Sequence, residues 1–325
     1  YGIDTNTGFA RDSSFNTYIT GYVGAYGTSN YNAFILKLSP SGVYSDDRYL
    51  TYSGKTNYYQ LSGAITLDSS NNVYIAVGGH DGSNYTSVVT KFNSSLTQQW
   101  SIELKSNYAA GYFSTDIAVD SSGNVYVVGY GNNGTGAGNY YAQYITKINS
   151  SGTHQWTTGL YESSTLNFYG YGVKVDSSGN VYTLGRGNDG TSQNTIITKW
   201  NSSGTRLWSR KFSTTLSGTY YTTNLYSINI DSSDTILLAG SNTPQSSVNG
   251  PLFITYPADG SKTGTYTVNG SNVIISSPTV SQVNQPPTNW STGVPTINVT
   301  SMGYTNSTAN ITTSTPTYTR ATVTI

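Results

Sequence analysis

Few side chains in this sequence are suited to acid–base catalysis, and they are scattered along it. The histidines are His80 and His154, and the glutamates are Glu103 and Glu162. His80 precedes Asp81, and such a pair can act as a general base, but no serine lies in a recognisable nucleophile motif. A glycosidase needs two carboxylates about 5 to 9.5 Å apart, whereas we expect these glutamates on outer strands of different repeat units. The sequence therefore predicts a protein that is not an enzyme.

Further carboxylates lie in a recurring Asp-Ser-Ser segment, where a metal site has to be considered. A calcium loop uses about six to eight oxygen ligands, several of them from carboxylates. Four of the five segments carry one acid, and the fifth carries Asp231 and Asp234. An Asp at the start of a turn accepts hydrogen bonds from nearby backbone amides, so we interpret these segments as turns. A weak calcium site at Asp120 or Asp176 is the alternative, and no cofactor is predicted. Cysteine is absent, which excludes disulfides and thiolate metal sites.

Tyrosine and asparagine are abundant enough to form a ligand-binding surface without any charge. Aromatic rings stack on sugars, and Asn and Ser suit adaptable polar contacts. Such residues recur in Gly-, Asn- and Tyr-rich loops, and the alternative is that these are hairpin loops under no constraint. By contrast, tyrosines that recur at one repeat position (Tyr18, Tyr74, Tyr126, Tyr182) are expected to pack between units. The candidate glycan-binding residues are Tyr26, Asn30, His80, Asp81, Asn132, Tyr140, Tyr141, Asn188 and Asp189.

The elements that position these residues follow from a repeat of about 55 residues. Alternating apolar residues precede each Asp-Ser-Ser turn, a Val-Tyr-Val-Val-type strand follows it, and a Lys-x-Asn-Ser-Ser turn and a tryptophan mark two further strands. Four such strands form one antiparallel meander. We predict an all-β fold, with residues 1–270 as a five-bladed β-propeller of four-stranded antiparallel blades, each taken from contiguous sequence. The sequence leaves three arrangements of the blades. The first and fifth blades pack together, a tail strand closes the ring, or the blades form an open arc. The leading aspartates are Asp12, Asp68, Asp120, Asp176 and Asp231.

This unit resembles the SBBP-type β-propeller repeat. The likeness rests on the core Asp120-Ser121-Ser122-Gly123-Asn124-Val125-Tyr126-Val127 and on the tail Lys147-Ile148-Asn149-Ser150-Ser151-Gly152-Thr153, which ends at Trp156. It extends over about residues 1–270. The fifth unit departs from it at Tyr256-Pro257-Ala258-Asp259-Gly260 and has no tryptophan. The resemblance implies a propeller like those of bacterial surface proteins or tailed-phage virion proteins, and it implies little about function.

Residues 271–325 differ in character, because Thr, Ser, Asn and Pro dominate and charge nearly disappears. Gln285-Pro286-Pro287-Thr288 is typical of a linker, and 272–275 and 297–299 are short strand candidates. The last stretch alternates like a strand that pairs with a sheet edge, in cis or in trans. Its candidate assembly residues are Thr317, Tyr318, Thr319, Ala321, Val323 and Ile325. Candidate glycosylation sites in this tail are Asn298, Asn306 and Asn310.

Composition limits the classes of partner. Charged residues make up 9% of the chain and the net charge is zero, so no basic patch for nucleic acid and no membrane-spanning segment is predicted. A first residue other than Met favours an exported, processed chain, and a chain shortened in another way is the alternative. We predict a structural subunit of an extracellular assembly, either a virion appendage or a filament, that associates with copies of itself or with other virion or surface proteins through its tail. The alternative is a carbohydrate-binding, lectin-like propeller.

Overall fold

The all-β prediction is confirmed by a computed structural model of the chain. The structure describes residues 2–3, 8–24, 31–52, 64–80, 84–106, 111–132, 140–162, 166–188, 193–214, 223–242, 250–268, 271–284, 290–293, 297–300 and 322–324. These residues form 26 strands and five sheets. They contain no helix that is long and apolar enough to cross a membrane.

Sheets 1 to 3 follow the chain. In each sheet, we call the strand at the start of the series the innermost strand and the last strand of the series the outer strand. Sheet 1 contains β1 (Gly2–Ile3), β2 (Gly8–Arg11), β3 (Thr17–Gly24), β4 (Tyr31–Leu38) and β5 (Tyr44–Tyr52). Sheet 2 contains β6 (Ala64–Leu67), β7 (Val73–His80), β8 (Tyr85–Phe92) and β9 (Gln98–Ser106). Sheet 3 contains β10 (Tyr112–Val119), β11 (Val125–Asn132), β12 (Tyr141–Ile148) and β13 (His154–Tyr161).

Sheets 4 and 5 complete the series, and six short strands follow them in sequence, five of them in the tail. Sheet 4 contains β14 (Phe168–Val175), β15 (Val181–Asn188), β16 (Gln193–Trp200) and β17 (Arg206–Thr214). Sheet 5 contains β18 (Thr223–Ile230), β19 (Ile236–Asn242) and β20 (Gly250–Tyr256). The remaining strands are β21 (Gly264–Val268), β22 (Ser271–Ser276), β23 (Ser281–Asn284), β24 (Trp290–Gly293), β25 (Ile297–Thr300) and β26 (Thr322–Thr324).

The Asp-Ser-Ser-Gly-Asn segments form the turns between the first two strands of their sheets, as predicted. Asp120 Oδ1 accepts hydrogen bonds from the backbone amides of Ser122 and Asn124, both at 2.9 Å. Its Oδ2 accepts from Asn124 Nδ2 at 2.9 Å and from the Tyr126 hydroxyl at 3.1 Å. Gly123 has a φ of 78°, a conformation in which glycine is strongly preferred. Local side-chain chemistry therefore accounts for the turn.

Each sheet packs face to face on the next one. We call the face toward the following sheet the forward face and the opposite one the rear face. On the forward face of sheet 3, Lys147 Nζ donates to Ser202 O of sheet 4 at 3.0 Å. Beside it, the Trp156 ring lies against Gly204, where a Cβ atom would be 3.1 Å from the ring. The recurring Tyr126 is fully buried between the two sheets, with Val128 and the sheet 4 residues, so the predicted packing role of these tyrosines is confirmed.

The same contacts recur at the other junctions. Side chains of one sheet donate to backbone carbonyls in the turn of the next sheet: Lys37 Nζ to Ser94 O at 3.0 Å, Trp100 Nε1 to Ser150 O at 3.0 Å, and Lys199 Nζ to Ala258 O at 3.2 Å. Lys and Tyr occupy fixed repeat positions at all four junctions, and Trp occupies a fixed position at three of them, because sheet 1 has Asp46 in its place. One sequence motif therefore supplies most of the contacts between successive sheets.

The tail strands lie along the outer edges of the sheets in reverse order. β22, β23, β24 and β25 pair antiparallel with β17, β13, β9 and β5, the outer strands of sheets 4, 3, 2 and 1. β26 then pairs parallel with β20 of sheet 5, with Val323 opposite Ile254. An outer strand exposes unpaired backbone groups, and in this structure the chain's own tail satisfies part of them. The strand candidates at 272–275 and 297–299 are confirmed as β22 and β25.

The expectation that the fifth unit supplies four strands of its own is wrong. β21 follows sheet 5 in sequence but forms a hairpin with β22 at the outer edge of sheet 4. Sheet 5 therefore has three contiguous strands, and its fourth comes from the C-terminal end of the chain. Of the candidate assembly residues, only Val323 is described. Thr317, Tyr318, Thr319, Ala321 and Ile325 lie outside the described residues, as does the linker at 285–288.

Candidate functional site

Three neighbouring innermost strands are interrupted at the same level. The pairing of β10 with β11 skips Thr115, that of β14 with β15 skips Tyr171, and that of β18 with β19 skips Tyr226. Such bulges bend a strand and re-aim the extra side chain, and they are common beside binding sites. Two of the three extra residues are tyrosines. The bulges therefore mark the end of sheets 3 to 5 where side chains are redirected.

An aromatic cluster occupies this end of the sheets, and we call it the rim cluster. It consists of Tyr85, Phe113, Tyr130, Tyr141 and Tyr169, which come from sheets 2, 3 and 4. Phe113 and Tyr130 stack with ring centroids 5.1 Å apart, and Tyr130 meets Tyr169 edge-on at 4.9 Å. Tyr141 lies 5.6 Å from Tyr169. These rings form one continuous aromatic surface across the sheet junctions.

A cavity of about 370 Å³ opens beside the rim cluster. Its amide and guanidinium groups come from three positions of sheet 4: Asn167 before β14, Arg186 near the end of β15 and Gln193 at the start of β16. Asn167 Oδ1 accepts a hydrogen bond from the backbone amide of Tyr141 at 2.9 Å, which ties the cavity to the rim cluster. The lining residues are Tyr140, Leu166, Asn167, Tyr169, Tyr171, Arg186, Gly187 and Gln193.

Arg186 is the cation of this cavity. It donates a hydrogen bond to Gln193 Oε1, and its guanidinium lies 5.7 Å from the ring centroid of Tyr226. Gly187 allows the Phe168 ring to pack against the backbone beside the cavity, because a Cβ atom there would lie 2.4 Å from that ring. No carboxylate in the described part of the chain is seen in contact with Arg186.

Two tyrosines that line the cavity, Tyr169 and Tyr171, have raised pKa values and are therefore uncharged at physiological pH. Burial raises the pKa of Tyr169, and the neighbouring phenols Tyr141 and Tyr171 raise it further. Burial also raises the pKa of Tyr171, against an opposing effect of Arg186. A protonated phenol both donates and accepts hydrogen bonds. The cavity thus combines aromatic faces, hydroxyls, amides and one guanidinium, a set that suits a ligand rich in hydroxyl groups.

The structure brings two of the predicted glycan-binding residues together. Tyr140 lines the cavity, and Tyr141 belongs to the rim cluster. Asn132 ends β11 and is buried at 6% exposure, so it does not present an open surface. His80 and Asn188 end β7 and β15, and only their backbones are described. Tyr26, Asn30, Asp81 and Asp189 lie outside the described residues.

The sequence prediction missed Tyr169, Tyr171, Asn167, Arg186 and Gln193. A signal existed for the tyrosines, because the innermost strand of sheet 4 alternates Phe168-Tyr169-Gly170-Tyr171-Gly172, and glycines inside a strand often mark a bulge or a close approach. Arg186 and Gln193 carried no such signal. Their relevance depends on which strands become neighbours.

Three of the residues considered for catalysis or metal binding, Glu162, His154 and Asp176, have structural partners. Lys211 Nζ lies 3.3 Å from Glu162 Oε1, and Glu103 lies in β9 of a different sheet. His154 Nε2 is 2.9 Å from Thr157 Oγ1, and burial lowers its pKa. Within the described ranges, no group of three or more His, Asp or Glu side chains could hold a metal ion. Asp176, one of the two calcium candidates, instead accepts from Asn180 Nδ2 at 2.9 Å.

Comparison with known families agrees with the repeat in the structure. Residues 99–134 match the model of the SBBP β-propeller repeat. This stretch runs from the tryptophan-bearing strand β9 of sheet 2, through β10, to the end of β11, and it contains the turn at Asp120. A comparison with curated proteins gives no match. The chain therefore contains a β-propeller repeat of the SBBP type.

Proposed function

We propose that the five sheets are the blades of one β-propeller arranged as an open arc, and that the chain is a non-enzymatic carbohydrate-binding protein with the rim cavity as its glycan site. The observation that supports this is the convergence of Tyr140, Tyr169 and Tyr171 with Arg186 on one cavity of about 370 Å³. Aromatic faces provide apolar contact with the C–H faces of a sugar ring, and the amides and hydroxyls provide hydrogen bonds for its hydroxyl groups.

The proposal is tested with a glycan screen followed by titration calorimetry on the best oligosaccharide. Tyr169→Ala removes the ring that links the cavity to the rim cluster, and it should weaken binding by about tenfold, or about 1.4 kcal/mol. The matched control is Tyr266→Ala, a partly buried tyrosine on β21 at the outer edge of sheet 4. Equal loss in both variants, or no bound glycan in the screen, would contradict the proposal.

A second candidate function is a structural subunit of an extracellular assembly, such as a virion appendage or a filament. The pairing of the tail strands with sheet edges favours it, because a strand that pairs in cis can also pair with the same edge of another copy. Under this proposal the partners are copies of the chain or other virion or surface proteins. Localisation outside the cell belongs to both candidates, as does glycosylation of Asn298, Asn306 or Asn310.

Electron microscopy of the full chain and of a variant without residues 312–325 tests this second candidate. The deletion removes β26, and therefore the strand that pairs with β20. Regular assemblies of the full chain that disappear in a folded deletion variant are the expected result. Assemblies that persist after the deletion would exclude assembly through this strand.

A further inference from the structure

Among the described residues, no other sheet packs on the rear face of sheet 1 or on the forward face of sheet 5. On the rear face of sheet 1, Phe9 is 77% and Phe15 60% exposed, and Val43 is 49% exposed. On sheet 5, Leu252 and Ile254 pack on sheet 4, so Phe253 between them points to the forward side, where it is 41% exposed. End repeats of a stacked array normally carry a polar outer face. Each of these two faces instead exposes at least one large apolar side chain.

The rear face of sheet 1 carries the same kind of turn that contacts a tryptophan ring at other junctions, but here no ring lies against it. Its turn has the usual hydrogen bonds, from Ser39 N to Val43 O at 2.8 Å and from Gly42 N to Ser39 O at 2.9 Å. A Cβ atom on Gly42 would meet nothing within 4 Å, whereas at Gly152 and Gly204 it would meet a tryptophan ring of the preceding sheet. The surface that receives a preceding sheet is thus formed but not covered.

The charges at the two ends are complementary. Arg11 occupies a repeat position that is apolar in the other sheets, where it is Leu67, Val119, Val175 or Ile230. A residue at this position faces the preceding sheet, since Val175 packs in the same core cluster as Tyr126. At the other end, Asp231 Oδ1 accepts from Ser233 N at 2.9 Å and from Thr235 N at 2.8 Å.

The Oδ2 atom of Asp231 has different surroundings from the Oδ2 atoms of the other Asp turns. In those turns Oδ2 accepts from an Asn amide and a forward-facing Tyr hydroxyl, as in Asp68 with Asn72 at 2.8 Å and Tyr74 at 2.9 Å. At Asp231 the described residues provide neither donor, because Thr235 and Leu237 stand at those positions. The cation and the acceptor therefore occupy matching positions on opposite ends.

The described residues of sheets 1 and 5 do not share a hydrophobic core. The four core clusters join sheets 1 and 2, sheets 2 and 3, sheets 3 and 4, and sheets 4 and 5. None of these clusters contains residues of both end sheets. A second copy, rather than the same chain, is then the occupant that fits both faces.

We propose that the forward face of sheet 5 docks on the rear face of sheet 1 of a second copy, with Asp231 opposite Arg11. The two faces differ, so the contact is head-to-tail and gives open chains of copies. This interface does not involve the rim cavity, and it is also separate from strand addition by the tail.

Sedimentation velocity of the full chain over a range of concentrations tests the proposal, with expected growth from monomer to larger species. Arg11→Asp and Asp231→Arg, each alone, should raise the concentration for half-association by about tenfold, because one ion pair becomes a repulsion. An equimolar mixture of the two variants should restore the half-association concentration of the wild type, since the carboxylate introduced in one variant then meets the guanidinium introduced in the other. The controls are Leu207→Ser, exposed on β17 of sheet 4, and Asp259→Arg, exposed on the rear side of sheet 5.

Phe253→Ser provides a second perturbation of the same face that does not change charge, and it should also weaken association while the circular dichroism spectrum is unchanged. A wild-type chain that stays monomeric at all concentrations would overturn the proposal. So would a mixture that behaves like its separate components, because contact within one chain cannot be restored by mixing. Equal effects of the Leu207→Ser control would point to non-specific apolar association and would overturn it as well.

Discussion

Replacement of Trp100 tests whether the tryptophan contacts hold neighbouring sheets together. Trp100 Nε1 donates to Ser150 O of sheet 3 at 3.0 Å, and the ring lies against Gly152, where a Cβ atom would be 2.8 Å away. Its ring also meets Tyr74 edge-on at a centroid distance of 6.1 Å. Trp100→Ala therefore removes a hydrogen bond, an aromatic contact and the apolar cover of the turn in the next sheet.

The expected cost follows from these contacts. Truncation of a fully buried tryptophan costs about 3–5 kcal/mol, so a half-buried ring should contribute about 2 kcal/mol. The hydrogen bond adds about 1 kcal/mol, and the total decrease in the free energy of unfolding is then about 3 kcal/mol. Trp100→Phe retains most of the ring and should lose about 1 kcal/mol. Leu207→Ala, at an exposed position of a comparable outer strand, should change stability by less than about 0.5 kcal/mol.

Urea denaturation followed by far-ultraviolet circular dichroism measures these differences without depending on tryptophan fluorescence. Hydrogen exchange gives a local readout, because the amides of Asn149 and Gly152 close the turn under Trp100 and should exchange faster in the Ala variant. A loss below about 1 kcal/mol for Trp100→Ala, or the same loss for Leu207→Ala, would refute the idea that the tryptophan stabilises the junction.

Two further predictions concern the sheet interior and the turns. Gly240→Ala should prevent correct folding of sheet 5, because a Cβ atom there would lie 1.9 Å from Asn224 O. The measurement is the yield of soluble protein, which should fall in Gly240→Ala but not in the control variant Ala239→Gly. Stability should fall at acid pH: burial alone would raise the pKa of Asp68, but hydrogen bonds from Asn72, Tyr74 and Ser70 outweigh it and lower the pKa below its ordinary value. A lowered folded pKa gives stabilisation that is complete above the unfolded value of about 3.9 and is lost as the pH falls through the folded value. Denaturation midpoints between pH 7 and 2 should therefore decrease less in Asp68→Asn than in the wild type, and an equal decrease would contradict this role.

The repeat made much of the fold predictable. Strand alternation and Asp-turn chemistry act within a few residues, so the first four units could be divided into their strands from sequence. The recurring tyrosines could be placed between sheets because their repeat position was constant. The candidate site was only partly predictable: Tyr140 and Tyr141 were found, but Arg186 and Gln193 were not, since a cavity forms from strands whose proximity has no local sequence signal.

The sequence by itself determined the all-β class, the repeat unit, its turns and the strand character of 272–275, 297–299 and the last residues. Only the tertiary structure decided which edges these strands occupy and that β21 pairs at the edge of the fourth sheet instead of the fifth. The physical reason is that a sheet edge offers backbone N–H and C=O groups, which are the same for every residue except proline. The sequence of a strand therefore predicts that the strand will pair, whereas the geometry of the surrounding sheets determines which strand becomes its partner.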